Sequence, residues 1–186
     1  MANADSIELF RQFLATQGLD PELDPELEAT PERVTELFGF LFQGLQSDPP
    51  ALSTFPPPTG DPVALCGLAF QSMCVHHLLP FFGTMDVAYI PGEKMVGFGS
   101  IGRVIDHFSY RPQVQERLIV EVADYLEHAL EPSGLLIRLR ARQMCMEMRG
   151  SQKRGELISI VARGELRSGE LRMDLMEQFR SAEEPL

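Results

Sequence analysis

Apolar positions recur at helical spacing at the start of the chain and at every second residue through its middle. In DSIELFRQFLATQG (5–18), Ile7, Phe10 and Leu14 mark one helix face, with a polar start at Asp5 and Ser6 and a stop at Gly18. In ATPERVTELFGFLFQGL (29–45), Val34, Leu37, Phe38, Leu41, Phe42 and Leu45 form the apolar face of a second helix, with Thr30 as its expected cap and Pro31 in its first turn. An acidic, proline-broken link (19–29) joins them, and the prolines of SDPPALSTFPPPTGDP (47–62) predict a loop, since they sustain neither helix nor central strand.

Strand texture comes next. VALCGLAFQSM (63–73) and TMDVAYI (84–90) read as strands, with PGEK as a turn before MVGFG. Helical spacing returns at Ile101, Val104, Ile105 and Phe108, and again at Leu118, Val122, Leu126 and Leu130, until Pro132 and Gly134 end it. LLIRLRARQMCMEMRG (135–150) has a period of two: Leu135, Ile137, Leu139, Ala141, Gln143, Cys145, Glu147 and Arg149 share one face. ELISIVARGEL (156–166) is a last strand. Helices, strands, helices, strands predict an α+β fold with an antiparallel sheet. The expected division is a helical region and proline-rich loop over 1–62, then a second region over 63–186.

Composition narrows the function classes. With 186 residues and 44% hydrophobic ones, the chain can bury one ordinary core. No apolar run reaches the length of a membrane span, and the N-terminus lacks the basic start and apolar core of a signal peptide, so the expected location is the cytoplasm. Three cysteines, Cys66, Cys74 and Cys145, argue for metal or thiol chemistry over a disulfide framework. Of the net charge of -11, all falls in residues 1–93, where thirteen acids face only Arg11 and Arg33. That half argues against nucleic-acid binding, which needs a basic face. The arginines of the other half can still line a local anion pocket.

SMCVHHLLPFFG (72–83) carries the clearest chemistry. Cys74 and His77 stand at a C-x-x-H spacing from which a thiolate and an imidazole reach one ion, and both suit zinc. Cys145 is the best third candidate. Three protein ligands would leave a fourth position for water, the arrangement of a catalytic zinc. His76 adjoins a ligand, is expected to point elsewhere, and is a candidate general acid or base. The bland alternative is that such residues simply pack; it is the favoured reading for Cys66, His107 and His128, and for the methionines of MCMEM.

SMCVHHLLPFFG, QVQERL (113–118), MCMEMRGSQK (144–153) and TPERV (30–34) together resemble the zinc enzyme GTP cyclohydrolase I, whose usual forms are C-E-H-H-L-L-P-F, Q-V-Q-E-R-L and H-M-C-M-x-M-R-G. The resemblance runs from about residue 5 to the C-terminus. It implies the tunnelling fold, an antiparallel sheet with a pair of helices on one face preceded by N-terminal helices. It also implies a homo-oligomer, a toroidal decamer with active sites between subunits, and a catalytic role for the 63–186 region. The family's zinc ligands fall on Cys74, His77 and Cys145, so the Zn2+ expected from spacing and that implied by resemblance agree. The implied chemistry is attack of a zinc-activated water on C8 of guanine, ring opening, loss of formate and closure to a pterin. The family's guanine-gripping glutamate falls on Glu116, with Gln115 beside it; a carboxylate suits the task because it accepts two hydrogen bonds from the N1–H and amine edge. The catalytic histidine falls on His76, and phosphate-binding arginines fall on Arg103, Arg149 and Arg33. A surface ion pair is the plain alternative for each arginine.

Three positions depart from the pattern. Gln143 replaces the family's second catalytic histidine, and an amide cannot transfer a proton near neutral pH. In GFGSIGR (97–103), Gly99 and Ser100 replace a serine and a triphosphate-binding lysine, which removes a point charge. Val75 replaces the glutamate of C-E-H-H. Keeping the ligand set, His76 and Glu116 while changing proton-transfer and phosphate positions implies a changed task. The expected function is a zinc-dependent cyclohydrolase that hydrolyses C8 of a guanine-type purine with fewer phosphates than GTP and stops at a ring-opened pyrimidine. The alternatives are an orthodox GTP cyclohydrolase I, with Ser100, Gln143 or Arg142 compensating, and a noncatalytic purine-binding or regulatory homologue.

Overall fold

Alternation along three long strands decides which side chains reach the site and which face away. In the computed structural model, residues 4–182 are described; the outer ends of the two expected regions, 1–3 and 183–186, lie outside the described residues. The chain runs α1 (Ala4–Thr16), α2 (Thr30–Leu41), β1 (Thr54–Phe55), β2 (Val63–Cys74), β3 (Pro80–Ile90), β4 (Met95–Val96) and α3 (Phe98–Ser109). It continues through β5 (Pro112–Gln113), α4 (Gln115–Leu130), β6 (Gly134–Gln143), α5 (Met144–Glu147), β7 (Glu156–Gly164) and α6 (Glu170–Ser181). The main sheet has the order β5-β2-β3-β6-β7, antiparallel except for the parallel β2–β5 pair. The α+β fold with an antiparallel sheet and a helix pair on one face is therefore as expected, with one short parallel strand added.

On the helix side, Phe81, Met85, Val87 and Tyr89 of β3 and Leu135, Ile137, Leu139 and Ala141 of β6 pack with Ile101, Val104 and Ile105 of α3 and Leu118, Val122 and Leu126 of α4. Neighbours of opposite parity, Ala88 and Leu136, pack instead with Leu166, Leu175 and Phe179, so α6 covers part of the other face. Strand β2 keeps its apolar side chains on the helix side by means of a bulge. The register shifts between Leu65 and Leu68, where Gly67 takes a positive φ of 70° and donates its N–H to Asp86 Oδ1 at 2.8 Å.

Four features differ from the sequence expectation. Ala29, not Thr30, holds the N-cap of α2, and no side chain caps it. Leu37 and Leu45 of the expected apolar face stay 51% and 63% exposed, because no described element covers them. Strand β6 ends at Gln143, and residues 144–147 coil into the helical turn α5, so Cys145 and Glu147 do not continue the strand. Large side chains at both parities of 144–148 hide this break from a period-of-two reading. Finally, α6 is absent from the expected elements: only Leu175 and Phe179, one turn apart, are buried in it. The 47–62 loop is tied across residue 62, through the β1–β4 pairing and the Tyr125 hydroxyl, which donates to Pro50 O at 2.7 Å. No helix among the described residues is long and apolar enough to cross a membrane.

Candidate metal centre

Register brings the ligands together. Ser72, Phe81 and Gln143 form one row across β2, β3 and β6. Cys74 and Cys145 each lie two residues beyond their member of that row, at the same end of the sheet. After Cys74 the chain curls back: Leu78 takes a positive φ of 49° and its N–H donates to Cys74 O at 2.8 Å, while the Cys74 N–H donates to Leu79 O at 2.8 Å. This turn returns the His77 ring over the thiol three residues before it. The short strand β5 pins the following segment alongside, since Cys74 pairs with Gln113 and the Val75 N–H donates to Gln113 O at 2.9 Å. The first turn of α4, with Gln115 and Glu116, thereby starts next to the cysteine.

The ligand atoms of Cys74, His77 and Cys145 lie within 4.8 Å of one another. A tetrahedral zinc with bonds of about 2.0–2.3 Å places its ligands roughly 3.3–3.8 Å apart, so a contraction of about 1 Å closes the set. Two sulfurs and one imidazole are the donor chemistry zinc prefers, and the residues fit the ion. Cys74 is buried whereas His77 is exposed, which leaves an open side. Burial, followed by the neighbouring Cys74 thiol, pushes the Cys145 thiol above its ordinary value, and the Arg149 charge pulls the other way. The expectation that His76 points elsewhere needs correction: the Nδ1 atoms of His76 and His77 both stand 3.8 Å from Cys74 Sγ, because the same tight turn folds both rings back. Only His77 also groups with Cys145.

The other expected site residues spread around this centre. Glu116 is exposed in the first turn of α4. Gln115 is buried, and Gln143 Nε2 donates to its Oε1 at 2.8 Å. Ser100, near the start of α3, accepts from Arg103 Nη2 at 2.7 Å. Arg103 also lines a surface cavity of about 370 Å³ with Asp48, Asp106, His107 and Tyr110. Arg149 is exposed just beyond α5, close enough to act on Cys145. Arg33 is exposed on α2. Arg142, next to Gln143, is committed to Glu147 by bonds of 3.0 and 2.6 Å. Nothing in the structure explains the valine at position 75. The Gln115–Gln143 contact is not foreseen by sequence reasoning; only the shared strand face of Gln143 and the helix start at Gln115 hint at it.

The sequence pattern of the GTP cyclohydrolase I family matches residues 7–180. The GTP cyclohydrolase 1 of Leifsonia xyli subsp. xyli is 41% identical over 170 residues, covering 89% of this chain and 88% of that protein. That of Streptococcus mutans is 42% identical over 157 residues, covering 82% and 81%. That of Helicobacter pylori strain G27 is 40% identical over 152 residues, covering 80% and 84%.

Proposed function

The chain belongs to the GTP cyclohydrolase I family, hydrolases that act on cyclic amidine C–N bonds, and on that premise we propose that it opens the imidazole ring of a guanine-type purine at C8, on a substrate with fewer phosphates than GTP, and stops at a ring-opened pyrimidine. The observation that carries this reading is the Cys74–His77–Cys145 cluster, set beside Gln143 where the family places a proton-transferring histidine. Zinc, when bound, supplies a nucleophile at neutral pH by lowering the pKa of a water. Around it, Glu116 accepts from the N1–H and exocyclic amine of the base, which orients C8 toward the metal. His76, its ring at the thiol of Cys74, holds and passes protons during ring opening. Gln143 orients but carries no proton onward, so the later rearrangement and closure lack a second acid–base group.

At the anion end, Arg103, Arg149 and Arg33 are the candidate partners of a phosphate, with Ser100 where the family has lysine. One Arg103 nitrogen already bonds Ser100 Oγ, which supports a site built for less charge than a triphosphate. The exposed His77, and Arg33 on a helix with an uncovered apolar face, support completion of the site by a second copy of the chain in a homo-oligomer, a decamer if the family pattern holds, working in the cytoplasm. A second reading, the orthodox conversion of GTP to a pterin and formate, is favoured by relatives of that name at about 40% identity.

Mass spectrometry of the zinc-loaded protein with GTP, GMP, guanosine and guanine separates the readings. Gain of water without pterin, best on a substrate with few phosphates, is the expected result. Dihydroneopterin triphosphate from GTP would establish the orthodox reaction instead, and binding without any C8 hydrolysis would make the protein a purine-binding homologue.

A further inference from the structure

Two glutamine amides decide what the site offers its ligand. Gln115 is 2% exposed, and its Nε2 lies 3.0 Å from Leu157 O, 3.4 Å from Leu139 O and 3.1 Å from Ser159 Oγ. Main-chain carbonyls only accept, so they hold the amide nitrogen of Gln115 toward β6 and β7 and turn its Oε1 toward Gln143. That oxygen also only accepts, so the Gln143 atom 2.8 Å from it is Nε2. The orientation is thus transmitted outward from the backbone, with no freedom to flip. The Oε1 of Gln143 occupies the opposite corner of its amide and has no hydrogen-bond partner among the described residues. Gln143 ends β6 two residues before Cys145, in the row next to Cys74.

Ring opening changes what the purine presents to such an acceptor. The imidazole edge of an N9-substituted guanine offers the N7 lone pair and no N–H. Hydrolysis forms a bond from the water oxygen to C8 and breaks C8–N9; one water proton goes to N9 and the other to N7, with no change of oxidation state. The product carries two new donors, the formamide N7–H and the N9–H. A fixed carbonyl oxygen complements these and does not complement the intact edge.

We infer that Gln143 is a specificity-determining acceptor that binds the ring-opened formamidopyrimidine in preference to the intact purine, and that Gln115 is the positioning residue that holds its amide in that orientation. The inference rests on the proposed C8 hydrolysis, and it accounts for a reaction that stops where it does: the species held best is the one just formed.

The test uses preformed ligands and no turnover. Calorimetry on the zinc-loaded chain compares guanosine with its formamidopyrimidine nucleoside. The wild type should bind the opened form about tenfold tighter, the worth of one well-placed hydrogen bond near 1.4 kcal/mol. Gln143→Met, which leaves the bonds of Gln115 to the strands intact, should bring the ratio to within about twofold of unity. Gln115→Met should do the same, and the double variant should go no further. A merely structural role for Gln115 would weaken both ligands alike and leave the ratio unchanged, which would overturn the positioning role. Equal wild-type affinities, or no binding of either nucleoside, would overturn the inference as a whole. A wild type that shows the preference but hydrolyses no purine would confirm the acceptor and refute only the proposed reaction.

Discussion

Asp86→Ala should cost several times the stability of an ordinary surface substitution. Asp86 and Arg138 face each other across β3 and β6, with side chains 3% and 4% exposed. Arg138 reaches Asp86 Oδ2 through Nε at 2.8 Å and Nη2 at 2.7 Å, and Asp86 Oδ1 accepts the Gly67 amide of the bulge. The same guanidinium donates to Phe179 O at 2.5 Å and lies 5.6 Å from the Phe179 ring. One pair thus joins the bulge of β2, the centre of the sheet and α6. Removing the carboxylate takes this carboxylate partner from a buried guanidinium and the acceptor from the Gly67 amide, a loss of about 3–5 kcal/mol. At roughly 2–4 °C per kcal/mol for a chain of this length, melting should fall by about 6–20 °C. The pair's own attraction is largely cancelled by its desolvation, so Asp86→Leu with Arg138→Met should recover most of the loss. The assay is thermal melting by circular dichroism at matched protein and zinc concentrations, because both shift the midpoint. A drop below about 2 °C for Asp86→Ala, or a double variant no more stable than the single, would refute the reasoning.

Four further outcomes are expected. Cys145→Ala should abolish stoichiometric zinc by metal analysis, and a chelator should lower the melting temperature of the wild type but not of the variant; at a hundredfold excess over the dissociation constant, zinc contributes about 2.7 kcal/mol. Gln143→His, whose ring can donate to Gln115 and still exchange a proton, should move the product spectrum toward pterin, and an unchanged spectrum would count against Gln143 as the block. Ser100→Lys should tighten GTP binding about tenfold by calorimetry, one charge-assisted contact; unchanged binding would mean that the anion pocket is remodelled more widely. His107, held below its ordinary 6.5 by burial and then by Arg111, takes up its proton at lower pH in the folded chain than in the unfolded one. Its contribution is therefore intact above pH 6.5 and is lost as pH falls from there toward the folded value, at no more than about 1.4 kcal/mol per pH unit. Melting of the wild type should drop more between pH 7.5 and 5.5 than that of His107→Gln.

The elements that sequence reading finds are long and carry one regular apolar face. Strands β2, β3 and β6 announce themselves because one parity meets α3 and α4, and α4 because Leu118, Val122 and Leu126 make an unbroken stripe. Helix α6 stays hidden because its buried apolar stripe is only two residues wide, and its tie to Arg138 through the Phe179 carbonyl leaves no local pattern. The site divides the same way. The C-x-x-H spacing is local and legible. The Gln115–Gln143 contact depends on the β6–β7 register and on β5 delivering the start of α4, neither of which any local pattern encodes.

That contact bears on how the departures from the family pattern should be understood. A residue lost by neglect leaves its old partners orphaned. Here Gln143 donates to an amide that is itself held by two main-chain carbonyls, and Ser100 accepts from the arginine one helical turn along. Arg142, the charged neighbour of Gln143 in sequence, is instead committed to Glu147. Both substituted polar positions thus keep a bonded partner, Arg142 is engaged elsewhere, and the metal ligands remain within reach of one ion. A site under relaxed constraint has no reason to combine these three features. The proposed reaction, which uses the metal for the first bond cleavage and a fixed acceptor once the ring is open, accounts for all of them.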